Sequence, residues 1–157
     1  MDFDVLIEIP AQGSVKYEVD EEKGKLRVDR FLHTAMVYPF NYWSILKTKG
    51  GDKDPLDGCV FSLEPVMPGV LIKCHAIGLL EMEDNEGIDT KIIAVPDKKI
   101  DPVFGTYTSI KDLPVHLLVK TKHFWDHMKE LEPGKWVKTG EYKDFEEAEK
   151  EIKKSLA

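Results

Sequence analysis

Short stretches of β-branched and aromatic residues, separated by Gly, Asp and Lys, fill the first two thirds of this 157-residue chain. This pattern is typical of strands joined by turns. It predicts strands at residues 5–9, 17–19, 26–31, 60–63, 70–82 and 91–95. The turn signal Asp84-Asn85-Glu86-Gly87 separates the last two strands, so we expect them to form a hairpin.

The hydrophobic period changes after Pro114, where apolar or small residues recur at three- and four-residue steps up to a stop at Pro133-Gly134. These residues predict an amphipathic helix: Leu117, Thr121, Phe124, Met128 and Leu131.

After a brief strand at 136–137, Asp144 can cap a last helix. Its predicted buried stripe is Phe145, Ala148, Ile152 and Leu156. Many short strands followed by two helices predict an α+β, mainly β fold, with a small closed barrel and helices packed outside it in the C-terminal third.

Composition narrows the range of partners. No shift in composition divides the chain, so we expect one domain over residues 1–157. The net charge of -7 argues against nucleic acid and an anionic membrane surface as partners. An OB-type protein that binds single-stranded nucleic acid is also disfavoured, because the aromatic residues are not accompanied by clustered cations.

The cysteines and the N-terminus indicate where the protein is located. Cys59 and Cys74 are too few for a disulfide framework, and the N-terminus lacks a signal-peptide pattern, so we expect a cytoplasmic protein. No apolar run approaches the roughly 20 residues of a membrane helix.

Three carboxylates fall within six residues in the turn-like segment Asp52-Lys53-Asp54-Pro55-Leu56-Asp57. Carboxylates this close repel one another, and a divalent cation relieves that repulsion. Oxygen ligands favour Mg²⁺, Mn²⁺ or Ca²⁺ over zinc. An EF-hand is excluded because its loop needs Gly and Glu where Asp57 and Leu63 stand. A solvated acidic loop remains an alternative, but a second acidic cluster at residues 81–89 favours a multi-metal site.

Cations elsewhere in the chain suggest what such a site would bind. Lys16, Arg30, Lys91 and Lys129 stand at strand or helix ends. Each alone is best explained as an ordinary surface charge. Around several divalent ions, however, they would suit a phosphate-rich substrate, because phosphoryl transfer depends on positioning and charge neutralisation.

Seven segments occur in order between about residues 5 and 138: Glu8-Ile9-Pro10, Lys16-Tyr17-Glu18, Asp29-Arg30, Tyr38-Pro39-Phe40-Asn41-Tyr42, Asp52 to Asp57, Asp84 to Lys91 with Ala94-Val95-Pro96, and Gly134-Lys135-Trp136-Val137-Lys138. Together they closely resemble the family I soluble inorganic pyrophosphatases. The resemblance implies a five-stranded barrel related to the OB fold. It also implies Mg²⁺-dependent hydrolysis of pyrophosphate to two phosphates, with Mn²⁺ as a substitute ion, by a protein that forms a homo-oligomer.

The resemblance further implies a role for each matching residue. The implied metal ligands are Asp52, Asp57, Asp84 and Asp89, with Glu18 and Glu8 in direct or water-mediated contact. Asp54 is the implied general base, which would take a proton from a metal-activated water. The implied substrate-binding residues are Lys16, Arg30, Tyr42, Lys91 and Lys129.

The chain departs from the family pattern at several positions. Met128 stands where a phosphate-binding Tyr is usual, and a thioether cannot donate that hydrogen bond, so we expect roughly ten- to hundredfold weaker substrate binding. Alternatively, Met128 belongs to the apolar stripe of the helix and is a core residue that takes no part in substrate binding. Lys53 replaces a small residue, Trp43 a Gly, Ser44 an aromatic residue and Gly58 an aliphatic one. We expect the bulky Trp43 to reshape the mouth of the site. A second interpretation is therefore a weakened family member that binds divalent metal or phosphate ligands without efficient hydrolysis.

Overall fold

The computed structural model describes residues 1–45 and 55–156. The strands in these ranges are β1 (Asp2–Ile9), β2 (Val15–Asp20), β3 (Lys25–Phe31), β4 (Asn41–Ser44), β5 (Asp57–Val60), β6 (Leu71–Asp84), β7 (Gly87–Ile88), β8 (Lys91–Pro96) and β9 (Val137–Asp144). The α-helices are α1 (Val115–His127) and α2 (Phe145–Ser155), and short 3₁₀ turns occupy Phe104–Thr106 and Ile110–Asp112.

Five strands close into a ring in the order β1-β4-β5-β8-β6, and β6 pairs back with β1. The pairings are antiparallel except for β5 with β8, which are parallel. The 14-residue β6 makes closure possible, because it is long enough to pair with β1, β8, β7 and β9 at different points along its length. The predicted closed five-stranded barrel with two helices in the C-terminal third is confirmed.

Strand β8 separates two hydrophobic cores. Ile93 and Val95 point into one core, which α1 covers with Phe124. Their neighbours Ile92 and Ala94 belong to the other, which α2 covers. This alternation follows from the two-residue period of a strand, and each fully buried aliphatic side chain contributes about 1.5–3 kcal/mol. The buried barrel thereby holds the first residue of β8, Lys91, at a fixed place.

Several strands differ from expectation. Strand β4 was not predicted, and β5 covers Asp57–Val60 where the pattern predicts 60–63. Asp57 and Gly58 have low β propensity, and their strand exists because β4 and β8 pair with it on both sides. The predicted brief strand at 136–137 is instead the eight-residue β9, which pairs with β6.

The helices begin where the sequence predicts, but their ends differ. Helix α1 ends at His127, so Leu131 lies beyond it and is exposed. Asp144 caps α2 by accepting a hydrogen bond from the Phe145 amide. Ala148 and Ile152 are buried as predicted, whereas the expected burial of Leu156 is wrong, because it lies at the C-cap and points to solvent. Across residues 1–45 and 55–156, neither helix has the length and apolar character needed to cross a membrane.

Candidate active site

Two cavities share Lys16, Tyr42 and Asp57 as lining residues. Their volumes are about 150 and 310 Å³. Ten of the predicted site residues line them: Lys16, Arg30, Tyr42, Asp57, Asp84, Asp89, Lys91 and Lys129 around the first, with Glu8 and Glu18 around the second. Residues far apart in the sequence are therefore brought to one place.

The remaining two predicted residues, Asp52 and Asp54, lie outside the described residues, as does Lys53. Their predicted roles as metal ligand and general base stay predictions. The strand that follows them, β5, begins at Asp57, which lines both cavities.

Lys16 and Arg30 face each other across the β2–β3 hairpin. Opposed like charges destabilise a strand pair unless anions lie between or beside them. Asp29 lies 3.7 Å from each of the two cations, and Oε1 of the buried Glu132 accepts a hydrogen bond of 2.9 Å from Nη1 of Arg30. The hairpin thus presents two cations to the cavity, with Arg30 fixed from behind by Glu132.

Lys91 is the centre of the charge network. Its Nζ lies 2.8 Å from Asp57 and 3.0 Å from Asp89, and it is 3.1 Å from the Tyr42 hydroxyl. Asp57 and Lys91 are neighbours in the parallel β5–β8 pair, which explains their proximity. Only 2% of Lys91 is exposed, so burial disfavours its ammonium, but the carboxylates of Asp57 and Asp89 outweigh that cost and raise the pKa of Lys91.

Asp57, a carboxylic acid of this network, has a pKa that burial raises. Burial raises the pKa of Asp57 to about 6; nearby Lys91 opposes the rise and Asp89 adds to it. The Tyr42 hydroxyl donates a hydrogen bond to Asp57. Burial and the neighbouring carboxylates hold the pKa of Tyr42 well above its usual range, so this hydroxyl stays protonated and able to donate at neutral pH.

The β6–β7 hairpin places the second acidic cluster at the cavity. Asp84 ends β6 and is buried, and Asp89 follows β7. The ammonium of Lys129, just beyond α1, lies 3.4 Å from Asp84. The predicted meeting of acids from the 81–89 cluster with Asp57 is therefore present in the structure.

Glu8 and Glu18 occupy the second cavity, on β1 and β2. Burial raises the pKa of Glu8, although a hydrogen bond with Ser44 and the charges of Lys16 and Lys91 oppose the rise. Ser44, where an aromatic residue is usual in the resembled family, thus contacts a predicted ligand.

Oxygen donors dominate both cavities, and hard divalent cations such as Mg²⁺ prefer such donors. Counting the described lining residues alone, seven carboxylates face four cationic side chains across the two cavities. This excess of negative charge would repel a phosphate anion unless cations neutralise it. Among the described residues, no three His, Cys, Asp or Glu side chains converge closely enough to hold one ion. The donor chemistry fits divalent metal, with ligands spread around the cavity walls.

Three cavity features were missed by sequence reasoning. Tyr38 and Trp125 line the first cavity, and Glu132 holds Arg30. Trp125 lies four residues after Thr121 and three before Met128, so the helical period could have placed it on the buried face. Nothing local in the sequence signals that Glu132 meets a residue 102 positions earlier.

Two of the departures from the family pattern lie in different surroundings. Met128 is 3% exposed; it packs in the α1 core and also lines the first cavity, so it is both a core residue and a wall of the site. Trp43 is fully buried in the α2 core against Phe3, and is absent from the described lining of the two cavities. Contrary to expectation, Trp43 is not placed to reshape the mouth of the site.

Comparison with known proteins identifies relatives along the whole chain. The inorganic pyrophosphatase family model matches residues 5–157. The chain is 50% identical over 155 residues to an inorganic pyrophosphatase of Aquifex pyrophilus, covering 99% of this chain and 88% of the relative. It is 49% identical to one from Nanoarchaeum equitans, covering 99% and 96%. A solved inorganic pyrophosphatase structure from Coxiella burnetii superposes with a TM-score of 0.95 at 46% identity, covering 99% of this chain and 93% of that one.

Proposed function

The chain belongs to the inorganic pyrophosphatase family and is an enzyme that hydrolyses pyrophosphate with a divalent metal, and we propose that Mg²⁺ is that metal, with Mn²⁺ as a substitute. The oxygen-only donor set supports a hard cation. One observation carries this proposal for the site: ten predicted residues from β1, β2, β3, β4, β5, β6, β8 and the segments after β7 and α1 line two cavities that share three residues.

Asp52, Asp57, Asp84 and Asp89 would hold the metal, with Glu8 and Glu18 in direct or water-mediated contact with it. When bound, the ions supply charge neutralisation and favour deprotonation of the attacking water. The described ligands line the cavity walls beside the cations that would bind substrate. Because seven carboxylates face four cations among the described lining residues, the protein alone would repel pyrophosphate, and we expect substrate binding to depend on the metal.

The cationic side chains would hold the two phosphoryl groups. Arg30 offers directed N–H donors, and the contact with Glu132 orients them. Lys16, Lys91 and Lys129 act as point charges, and the protonated Tyr42 hydroxyl donates a hydrogen bond. Asp54 would accept the proton of the attacking water as general base.

The second candidate function is a weakened member that binds metal and phosphate with little hydrolysis. Met128 favours this alternative, because it places a thioether in the wall of the substrate cavity. The loss of one hydrogen bond to a charged phosphate would reduce affinity, but the acids and cations that carry the reaction are retained, so hydrolysis stays the favoured function.

Further proposals concern the setting of the protein. We propose that residues 1–157 form one domain, that the chain assembles as a homo-oligomer, and that it is cytoplasmic and binds no nucleic acid. The described cysteines, Cys59 and Cys74, are free and buried, which suits a reducing compartment. His123 and His127 lie one turn apart on α1, with ring centroids 4.6 Å apart and ring planes at 49°, and we propose that a neighbouring subunit meets them there.

Phosphate release from pyrophosphate tests the function. The purified protein should release phosphate with Mg²⁺, more slowly with Mn²⁺, and not with EDTA. Asp54→Asn should keep the fold and metal binding but lower turnover by about 10²-fold or more, whereas Asp4→Asn, at an exposed position, should leave it unchanged. Near-normal turnover of Asp54→Asn would exclude that residue as the base, and no release by the folded wild type with either metal would favour the binding-only alternative.

A further inference from the structure

The ammonium of Lys91 lies over the rings of Trp125 and Tyr42. Its Nζ is 5.0 Å from the ring centroid of Trp125 and 5.1 Å from that of Tyr42. The two rings stand 5.8 Å apart at 62° to each other. Both distances fall within the range of cation–π attraction, in which the negative face of a ring attracts a cation. Because Lys91 is almost completely buried, little water screens this attraction.

Neighbouring rings fix the position of the Trp125 indole. Its centroid is 5.6 Å from that of Phe40 and 6.0 Å from that of Tyr38, and only 3% of Trp125 is exposed. Phe124, the preceding residue of α1, packs at 5.4 Å. A ring packed on this many sides cannot move away when the charges in the cavity change.

The indole N–H of Trp125 is buried and has no hydrogen-bond acceptor among the described residues apart from the weakly accepting thiol of Cys59. Burying a donor without a good acceptor is unfavourable. A phenyl ring would fill much of the same space without that cost. The larger and more electron-rich face that an indole presents to a cation is a compensating gain.

The two carboxylates that hold Lys91 are the same ones proposed to bind metal. When Asp57 and Asp89 engage divalent cations, they neutralise Lys91 less, and the cations repel its ammonium. The aromatic faces carry no net charge and engage no metal, so their attraction for the ammonium persists. Tyr42 is already a proposed substrate-binding residue, which leaves Trp125 as the support without another role.

We propose that Trp125 is a positioning residue, whose indole face holds the Lys91 ammonium towards pyrophosphate while Asp57 and Asp89 bind metal. The inference rests on the proposed metal and substrate site. It assigns to Trp125 of α1 the role of holding Lys91 in place, in addition to the proposed roles of the acids and cations.

Site-specific replacement of Trp125 by mono-, di- and trifluorotryptophan tests the inference, because each fluorine weakens the negative ring face and barely changes ring shape. The readouts are kcat/KM for pyrophosphate and, independent of hydrolysis, the Kd of imidodiphosphate with Mg²⁺ by calorimetry. We expect both to worsen stepwise, reaching about five- to tenfold for the trifluoro ring. The same series at Trp43, buried in the other core, should change neither.

Conventional variants extend the test. Trp125→Phe should weaken imidodiphosphate binding moderately and Trp125→Leu more, with thermal unfolding recorded to show that both fold. A flat fluorine series at Trp125, even with a defective Trp125→Leu, would overturn the inference and reduce Trp125 to a packing residue. A wild-type protein that binds imidodiphosphate but does not hydrolyse pyrophosphate would instead contradict the hydrolytic function, and the binding series would still decide the role of Trp125.

Discussion

Trp43 of β4 lies directly opposite Gly58 of β5 in the antiparallel pair that forms part of the barrel wall. These are two of the positions at which the chain departs from the pattern of its family. Trp43 is fully buried in the α2 core. On the other side of β5, the backbone of β8 comes so close that a Cβ on Gly58 would lie 2.0 Å from the carbonyl oxygen of Ile92. The largest and the smallest side chains therefore meet on neighbouring strands next to Asp57.

Gly58→Ala should destabilise the protein by about 1–3 kcal/mol, because β5 and β8 would have to separate. Since that pair also sets Asp57 against Lys91, kcat/KM should fall in the same variant. Urea unfolding and a pyrophosphatase assay measure the two effects. Gly140→Ala is the matched control: its Cβ would come no closer than 3.2 Å to the Cβ and 3.4 Å to the carbonyl oxygen of Glu81, so the loss should stay below about 0.5 kcal/mol. Equal losses in the two variants would contradict this account.

Glu132→Gln should lower kcat/KM by about tenfold, because Arg30 loses the buried carboxylate that orients its guanidinium. Steady-state kinetics should show the change, with circular dichroism as a check of folding. Lys135→Gln is the matched control, because Lys135 contacts the same Glu132 oxygen at 3.3 Å but does not appear in the described lining of the first cavity. It should stay within about twofold of the wild type, and a comparable loss in both variants would point to a merely structural ion pair.

Met128→Tyr should lower KM for pyrophosphate by about tenfold, because a hydroxyl would replace a thioether in the cavity wall. The larger side chain should also cost about 1–3 kcal/mol of stability, since Met128 is packed in the core. Met128→Leu, which keeps the volume and adds no donor, should leave KM within about twofold. If the tyrosine variant has an unchanged or higher KM, the pocket has been rebuilt around the methionine.

Asp144→Asn should cost roughly 1 kcal/mol of stability at pH 7. Burial alone would raise the pKa of Asp144, but hydrogen bonds from the Phe145 amide, the Ser109 hydroxyl and the Ile110 amide outweigh it, so the pKa is lowered. A carboxyl whose pKa is lower in the folded state stabilises above its unfolded pKa, near 3.9, and loses that contribution as pH falls through the folded pKa. The difference between wild type and variant should therefore shrink below about pH 4.

Urea unfolding at several pH values measures this difference. The exposed Asp4→Asn variant should unfold like the wild type at neutral pH, which separates the effect of the cap from that of a general loss of negative charge. A gap between wild type and Asp144→Asn that stays constant down to pH 2 would show that the carboxylate charge does not contribute through this cap.

Local patterns in the sequence determined much of the fold. The long apolar run of β6, the change of period after Pro114 and the cap at Asp144 each depend on residues within a few positions of one another, and each element is present in the structure. The kind of ligand could also be predicted from the sequence. Clustered carboxylates indicate a divalent metal, and cations near them indicate a phosphate-rich substrate. The Asp-rich segment and its neighbours further carried the resemblance to the family, which the comparisons confirm.

Only the tertiary structure decided the rest. Strand β5 begins with Asp57 and Gly58, which have low β propensity, and it exists because β4 and β8 pair with it on both sides, so its sequence did not reveal its bounds. Lys91 is buried over the ring of Trp125, which lies 34 positions later in the sequence, and Arg30 contacts Glu132, which lies 102 positions later. Hydrophobic period and charge report which side chains are buried or ionised, but the partner that a buried charge meets depends on how the barrel closes.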